Sequence, residues 1–278
     1  MGSKTRDFAT AQGARPIIEL RDVNVVFRTR TGSIFRPNTV HAVKDVTLSL
    51  MPGETIGLVG ESGSGKSTTA NVMCGLQRAT SGQVFFNGTE VTKRGPQERK
   101  EIGRVVSVVF QDPATALNAR MVVKEQLLDP LRVHSIGDNA SREKRVRELI
   151  SQVGLPSSVL DALPGQLSGG QRQRVAIARA LSVHPLAIIA DEPTSALDVS
   201  VRAQILNLLT DLKKELDLAM VFISHDIQTV RYVSDTIAVM NHGQIVEQGS
   251  AAQVLDSPTN DYTRTLLGAA PSLLHPIH

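Results

Sequence analysis

A glycine-rich run between an apolar segment and a helical one is the feature that most constrains the fold of this chain. Residues 60–67 read Gly-Glu-Ser-Gly-Ser-Gly-Lys-Ser and directly follow the short apolar segment Thr55–Val59. The run fits the pattern G-x-x-x-x-G-K-[ST], in which a strand passes through a turn into a helix. Glycines let successive N–H groups turn toward one anion, and the helix dipole adds to the attraction. We therefore predict a phosphate-binding loop for ATP or GTP.

The residues of this loop have different predicted roles. Lys66 supplies a point charge for the β- and γ-phosphates, Ser67 offers a hydroxyl to Mg²⁺, and Thr68 supports the phosphate contacts. The backbone of the remaining residues forms the cradle: Gly60, Glu61, Ser62, Gly63, Ser64 and Gly65. The predicted cofactors are ATP and Mg²⁺.

Two acidic residues follow the apolar segment Leu186–Ala190. Ligands of an open parallel sheet lie at the carboxyl ends of its strands, so Asp191 is expected to hold Mg²⁺. Glu192 points differently from its neighbour and is expected to polarise the attacking water as general base. A solvated strand end is the alternative, and the phosphate loop upstream favours the functional interpretation.

Two further polar residues end apolar segments. His225 follows the strand predicted at Ala219–Ser224 and is a candidate sensor of the γ-phosphate and the attacking water. Gln111 follows the segment Val105–Phe110 and can reach Mg²⁺ or water with its amide oxygen. The alternatives are that His225 has a structural role and that Gln111 is an ordinary polar loop residue.

A second glycine-containing motif precedes another helical segment. Its residues are Leu167, Ser168, Gly169, Gly170 and Gln171. Glycines and a serine at a helix start form an anion site, which is redundant beside the phosphate loop of the same chain. It becomes useful when two ATPase domains pack head to tail and each caps the other's nucleotide. Helix capping explains Ser168, but we expect it to leave the glycines and Gln171 unexplained.

Apolar segments alternate with helical ones along the chain, which favours a parallel sheet covered by helices. The predicted strands are Ile17–Phe27, Val40–Leu50, Thr55–Val59, Gln83–Phe86, Val105–Phe110, Leu186–Ala190, Ala219–Ser224, Thr236–Met240 and Gln244–Glu247. The predicted helices are Thr68–Leu76, Glu125–Val133, Ser141–Val153, Leu167–Leu181, Val201–Leu216 and Ile227–Ser234. Aromatic residues make up only 3% of the 278 residues, so the core must consist of Val, Ile, Leu and Ala.

The chain divides into three predicted regions. Residues 1–15 are polar, lack the apolar segment of a signal peptide and are expected to form a disordered tail. Residues 16–268 are expected to form one ATPase domain with a helical subdomain at about 113–181, and 269–278 a C-terminal tail. The segment Thr29–Asn38 contains glycine, serine and proline and is predicted to be a loop.

Composition argues against several kinds of protein. The formal net charge is only +3, without a long basic tract, so we expect no nucleic-acid partner. The single cysteine, Cys74, excludes a disulfide framework and a cysteine-based metal cluster within this chain. No run of about 18 apolar residues exists, so we expect a cytoplasmic chain that reaches a membrane only through another protein.

The order of these motifs resembles that of the ABC ATPase family. The matches are Gly60–Ser67 (Walker A), Gln111 (Q-loop), Leu167–Gln171 (signature), Ile188–Glu192 (Walker B), Ser195–Asp198 (D-loop) and His225 (switch histidine). The resemblance covers about Ile17 to Leu267. It implies an α/β ABC nucleotide-binding domain, in which a P-loop NTPase core with a parallel sheet carries an N-terminal antiparallel β subdomain and a helical insertion.

The resemblance also implies roles for residues that act between subunits. ATP would drive closure of a dimer, with Ser168, Gly170 and Gln171 contacting the γ-phosphate bound by the partner. Asp198 would lie at the dimer seam and couple the two sites. An aromatic residue stacks on adenine in this family, and Phe27 is the candidate, with packing in the core as the alternative.

A narrower resemblance points to importers. Residues 110–121 are similar to the FQDP…LNPRM run of the oligopeptide/dipeptide/nickel importer ATPases, and 191–201 and 261–267 match the same group. The loop Thr29–Asn38 resembles an insertion in the second of the two ATPases of such importers. The implied partners are a related second ATPase, two transmembrane permease subunits at the cytoplasmic face of the membrane and, indirectly, an extracytoplasmic solute-binding protein.

The chain departs from that group in several places. Ala119 replaces a proline, Gly165–Gln166 replaces His-Glu, and Asn260–Asp261 replaces His-Pro. The sequence ends at His278 without the group's cysteine-bearing extension, which leaves nickel and other small solutes open beside peptides. An exporter ATPase and a soluble ABC ATPase acting on nucleic acid or ribosomes are further alternatives. The soluble ones usually carry two ATPase domains or a coiled-coil insertion.

Overall fold

The computed structural model describes residues 15–29, 38–91, 95–112 and 116–269. Most of the predicted N-terminal tail, residues 30–37 of the predicted loop, and the C-terminal tail from 270 onward lie outside these residues. Within the described ranges, no helix combines the length and the apolar character needed to cross a bilayer.

The described strands are β1 (Ile18–Thr29), β2 (Asn38–Leu50), β3 (Thr55–Val59), β4 (Ser81–Phe86), β5 (Thr89–Glu90), β6 (Val106–Val109), β7 (Ala187–Asp191), β8 (Ala219–Ile223), β9 (Thr236–Asn241) and β10 (Gln244–Ser250). The described α-helices are α1 (Lys66–Met73), α2 (Pro96–Val105), α3 (Val123–Val133), α4 (Asn139–Gln152), α5 (Gly169–Leu181), α6 (Val199–Leu216), α7 (Ile227–Val233), α8 (Ala251–Asp256) and α9 (Asp261–Ala269).

A six-stranded sheet with the order β10-β9-β3-β8-β7-β6 carries the phosphate loop. Its strands run parallel from β9 to β6, and β10 is antiparallel to β9. Every residue of β3 and β8 is buried, as expected for parallel strands that are covered on both faces. The predicted parallel sheet is confirmed, and the carboxyl ends of β3, β8 and β7 lie side by side.

A four-stranded antiparallel sheet with the order β2-β1-β4-β5 packs beside it. Val25 and Leu48 of this sheet belong to the same buried core as Ile56 of β3 and Ala70 of α1. The shared core fixes the antiparallel sheet against the helix that follows the phosphate loop. The expected N-terminal antiparallel subdomain is therefore confirmed.

The chain between β6 and α5 is helical. It contains α3, α4 and two short 3-10 helices at Ser157–Asp161 and Pro164–Gln166. Asp138 accepts a hydrogen bond from the Ser141 N–H, and the Ser141 hydroxyl faces the Asp138 N–H in return, which caps α4. Leu127 and Leu149 are fully buried in one cluster with Ile177 of α5, so this segment packs against the signature helix.

Several predicted element boundaries were wrong. Helix α1 ends at Met73 instead of Leu76, because Gly75 adopts a left-handed φ of 75° and Leu76 is 64% exposed. The predicted strand Val105–Phe110 is shorter, since Val105 ends α2 and only Val106–Val109 pair with β7. Helices α2, α8 and α9 carry few buried apolar residues and were not predicted.

Candidate functional site

The phosphate loop is a tight turn that only glycine fits at two positions. Gly60 has a φ of 148°, and a Cβ there would lie 2.2 Å from the Met240 carbonyl oxygen of β9. Gly65 has a φ of 108°, and its Cβ would lie 2.5 Å from the Ala42 carbonyl oxygen of β2. The loop is therefore wedged between two strands, and α1 begins at Lys66, as the motif requires.

Lys66 is turned into the loop. Its side chain is buried, and its Nζ donates to the carbonyl oxygens of Gly60 and Glu61, each at 2.8 Å. Burial lowers the pKa of the Lys66 ammonium, while the charges of Glu192 and Asp191 act in the opposite direction. The ammonium thus lies where the loop and the two acids meet, which is where an anionic ligand would compete for it.

Asp191 is the last residue of β7 and interacts with the Ser67 hydroxyl at the start of α1. Burial raises the pKa of Asp191, and the neighbouring Glu192 charge adds to this effect. No salt bridge reaches Asp191 within the described ranges, which also contain no cluster of three or more His, Cys, Asp or Glu residues that could hold a metal. Two oxygen donors without a protein cage suit Mg²⁺, which is bound by one or two carboxylates together with substrate phosphates.

Glu192 lies in a left-handed backbone conformation directly after β7. Its φ is 46°, and its N–H donates to the Ile223 carbonyl oxygen at the end of β8 at 2.9 Å. This turn accompanies a carboxylate that lies near Gln111 and His225. A non-glycine residue in this region is uncommon and is held there by surrounding contacts.

The Glu192 carboxylate brings together three of the predicted residues. Its Oε2 accepts a hydrogen bond from Gln111 Nε2 at 3.2 Å, and its Oε1 lies 3.3 Å from His225 Nδ1. Gln111 follows β6 and His225 follows β8, so the strand order β8-β7-β6 puts them on either side of Glu192. The arrangement can orient a water molecule and respond to a ligand that displaces either neighbour.

Asp226 is a functional candidate that the sequence reasoning missed. It caps α7 by accepting from the N–H groups of Gln228 and Thr229, and its Oδ2 lies 3.6 Å from Arg202 of α6. These contacts fix the turn that presents His225 to Glu192. An aspartate immediately before a helical segment was the available signal.

The signature motif forms the start of α5. Ser168 Oγ accepts from the Gln171 N–H at 3.2 Å, and the Ser168 N–H donates to Gln171 Oε1 at 2.9 Å. The expectation that capping leaves Gln171 unexplained was wrong, because Gln171 completes a capping box. Gly170 also has a packing role, since a Cβ there would lie 2.7 Å from Val201 Cγ1 of α6.

The signature and the phosphate loop are separate within one chain. In the part of the chain that the structure describes, no hydrogen bond or ion pair joins Leu167–Gln171 to Gly60–Ser67. Asp198 at the start of α6 makes no side-chain capping bond, and the adjacent Val199 is 81% exposed. Asp198 and the exposed, apolar Val199 therefore lie on an open surface of the chain.

Phe27 and Thr68 are the remaining predicted site residues. Phe27 on β1 is 37% exposed and is paired in register with the exposed Val40, so packing in the core does not explain it. Thr68 is half-buried in the first turn of α1. Both positions are compatible with the predicted roles, which remain predictions.

The chain is similar to proteins of known role. The sequence model of the ABC transporter family matches residues 43–195. The oligopeptide transport ATP-binding protein OppF of Lactococcus lactis subsp. lactis is 43% identical over 258 residues, which cover 92% of this chain and 81% of that protein. The oligopeptide transport ATP-binding protein AppF of Bacillus subtilis is 42% identical over 264 residues, which cover 94% of this chain and 80% of that protein. The glutathione import ATP-binding protein GsiA of Salmonella typhi is 43% identical over 263 residues, covering 94% of this chain but 42% of that protein.

Solved structures agree with the sequence comparison. The ATP-binding cassette MJ0796, a dimer in a post-hydrolysis state bound to ADP and Pi, matches with a TM-score of 0.74 and 31% identity over 84% of this chain and 98% of that one. The cbiO1 protein of Clostridium perfringens, part of the ABC transporter complex cbiONQ, matches with a TM-score of 0.75 and 27% identity. The match covers 87% of this chain and 92% of that one. With the family model covering more than half of its length, the chain belongs to the ABC transporter family and is one of its ATP-hydrolysing subunits.

Proposed function

We propose that Glu192 is the general base that activates the water attacking ATP. The observation that carries this proposal is the Glu192 carboxylate, held between Gln111 Nε2 at 3.2 Å and His225 Nδ1 at 3.3 Å. A carboxylate within hydrogen-bonding reach of a bound water can accept its proton while the γ-phosphate is transferred. His225 then senses the γ-phosphate, and Gln111 links the base to the surface of the domain.

The nucleotide lies on the loop Gly60–Ser67, with its phosphates facing the backbone N–H groups and Lys66. Ser67, Asp191 and Gln111 hold Mg²⁺, and Thr68 supports the phosphates. Bound Mg²⁺ neutralises charge on the β- and γ-phosphate oxygens. Asp191 fits this role because its half-buried carboxylate forms no salt bridge with any described residue. Phe27 stacks on the adenine through its exposed ring face.

Replacing Lys66 by Ala is expected to weaken ATP binding about ten- to a hundredfold. Hydrogen bonds from a charged donor contribute about 1.5–3 kcal/mol, and about 1.4 kcal/mol corresponds to a tenfold change in affinity. Equilibrium binding of MgATP to the purified chain measures the effect. Lys66→Met is the matched variant, since it keeps the aliphatic stem but not the charge, and it should weaken binding to a similar degree. Unchanged affinity in both variants would contradict the role of Lys66 in the cradle.

Each complete site is formed by two subunits. Ser168, Gly170 and Gln171 contact the γ-phosphate bound by a partner ATPase, with Leu167 and Gly169 shaping the motif, and Asp198 lies at the seam. Among the residues that the structure describes, no hydrogen bond joins this motif to the chain's own phosphate loop, which supports an action across an interface. The exposed Val199 beside Asp198 supplies apolar surface for such a contact.

A groove beside Gln111 is suited to a helix of a membrane permease. It has a volume of about 450 Å³ and runs between α2, β6, α3 and α5. Leu76 and Phe110 on its wall are 64% and 42% exposed, so an apolar helix would cover them. Phe110 directly precedes Gln111, which bonds to Glu192, so a helix in this groove can change the position of the base.

The substrate that the assembled transporter moves is an oligopeptide or dipeptide. Oligopeptide transport is what the names of OppF and AppF state, and both are aligned over about four fifths of their length. In this assignment the chain works at the cytoplasmic face of the membrane. It is paired with a related second ATPase beneath two permease subunits, and a solute-binding protein outside delivers the peptide.

Peptides are expected to stimulate ATP hydrolysis by the reconstituted transporter. The complex that copurifies with this chain is inserted into vesicles with its solute-binding protein, and phosphate release is measured with and without peptides of several lengths. The same complex with Lys66→Ala gives the background rate. Equal rates with and without every peptide would contradict peptide import. Stimulation by glutathione alone, or by nickel alone, would assign the transporter to that solute instead.

A further inference from the structure

The helix α9 near the end of the described chain touches the phosphate loop. The Glu61 N–H donates a hydrogen bond to the hydroxyl oxygen of Tyr262 at 3.1 Å, across 201 residues of sequence. Glu61 is the second residue of the loop, and its N–H makes no other hydrogen bond within the described ranges. The first turn of the loop is therefore fastened to a helix outside the sheet.

The Glu61 residue is held by both of its backbone polar groups. Its carbonyl oxygen accepts from Lys66 Nζ at 2.8 Å and from the Ser64 N–H at 3.2 Å, while Tyr262 accepts from its N–H. The bonds to Lys66 and Ser64 come from within the loop. The Tyr262 bond comes from outside the loop, so it can hold the first turn in place whether or not Lys66 reorients toward a bound phosphate.

A network of hydrogen bonds holds Tyr262 itself. Its N–H donates to Asn260 Oδ1 at 2.9 Å. Glu247 of β10 accepts from the Thr259 N–H and hydroxyl at 2.7 and 2.8 Å and from the Asn260 N–H at 3.2 Å. Burial acts to raise the pKa of Glu247, but these hydrogen bonds outweigh it and lower the pKa to about 2. The Glu247 carboxylate therefore ties the start of α9 to the sheet that carries the phosphate loop.

We propose that Tyr262 is a positioning residue for nucleotide binding, which orders the first turn of the phosphate loop through the Glu61 N–H. The proposal rests on the nucleotide site assigned to Gly60–Ser67 above. Ordering the loop before the ligand arrives lowers the entropy cost of binding. Tyr262 does not touch the reacting atoms, so its loss acts on affinity for nucleotide more than on turnover.

The two tyrosines of the chain provide a matched test. Tyr262→Phe removes the hydroxyl that binds Glu61, and Tyr232→Phe removes the one that donates to Asn207 Oδ1 at 3.0 Å on the α6–α7 surface. Titration calorimetry of each full-length variant with MgADP gives affinity without hydrolysis. We expect about two- to tenfold weaker binding for Tyr262→Phe, the range of one hydrogen bond, and wild-type binding for Tyr232→Phe. In ATPase assays, KM should rise for Tyr262→Phe while kcat changes by less than about twofold.

Hydrogen–deuterium exchange distinguishes positioning from general loosening. In Tyr262→Phe, peptides that cover residues 60–67 should exchange faster, while the strands β3 and β8 keep their protection. Equal MgADP affinity in Tyr262→Phe and Tyr232→Phe would overturn the proposal. So would a fall in kcat at unchanged affinity, or faster exchange spread evenly over the domain. If the wild-type chain bound no MgADP at all, the nucleotide site itself would be refuted, which is a different result.

Discussion

Replacing Glu192 by Gln is expected to lower ATP turnover by about 10²–10⁴-fold while ATP still binds, which is the usual contribution of a general base. The amide keeps the size of the carboxylate and can still face Gln111 and His225, but it cannot accept the proton of water. Phosphate release under saturating MgATP measures turnover, and equilibrium titration measures binding. Because ATP remains intact, the variant should accumulate with nucleotide in the closed two-subunit state.

The matched control for this variant is Glu215→Gln. Glu215 is exposed near the end of α6 and makes no hydrogen bond or ion pair in the described part of the chain. Its replacement by Gln therefore removes the same charge at a position away from the site. It should hydrolyse ATP at the wild-type rate. Turnover of Glu192→Gln near that of Glu215→Gln would remove Glu192 from the role of base.

Replacing Ser168 by Asp is expected to abolish hydrolysis of the nucleotide bound by the partner ATPase, the site to which this motif contributes. Aspartate is as good a helix N-cap as serine, so the start of α5 and the stability of the domain are retained. Its negative charge would oppose the γ-phosphate held by the partner. Two like charges about 4 Å apart repel by about 4 kcal/mol at an effective dielectric constant of about 20, roughly a thousandfold in affinity. The measurement is the ATPase rate of the purified complex.

The neutral variant Ser168→Asn controls for the change in side-chain size. Asparagine also caps helices well but carries no charge, so this variant should retain much more activity than Ser168→Asp. Thermal midpoints of both variants should lie close to that of the wild type. Equal loss of activity in the two variants would mean that shape and capping, and not charge against a phosphate, determine the role of Ser168.

The phosphate loop and the sheet around it could be predicted from sequence because their signals are local. Glycines at 60 and 65 are needed by the backbone itself, and the apolar strand before them is continuous. The acids at the end of β7 were predicted from the rule that ligands lie at carboxyl ends of parallel strands. The structure adds the turn at Glu192, whose φ of 46° aims the carboxylate between Gln111 and His225.

Some features of the fold and the site were not predicted. Capping was expected to leave Gln171 unexplained, yet its side chain accepts from the Ser168 N–H, a contact of the local S-x-x-Q capping-box pattern. Helix α2 has one buried residue, Ile102, so few apolar residues mark it in the sequence. The contact between Tyr262 and Glu61 joins residues 201 positions apart, and no local sequence pattern predicts it.

Nucleotide trapping in the intact transporter tests most directly whether this chain contributes half of each of two ATP sites. The complex carrying Ser168→Asp in this chain is incubated with MgATP, vanadate and a photoreactive ATP analogue, and the labelled ATPase subunits are separated by mass. We expect label on this chain's own phosphate loop to persist and label trapped in the partner ATPase to be lost. Loss of label from this chain, with the partner still labelled, would contradict the account.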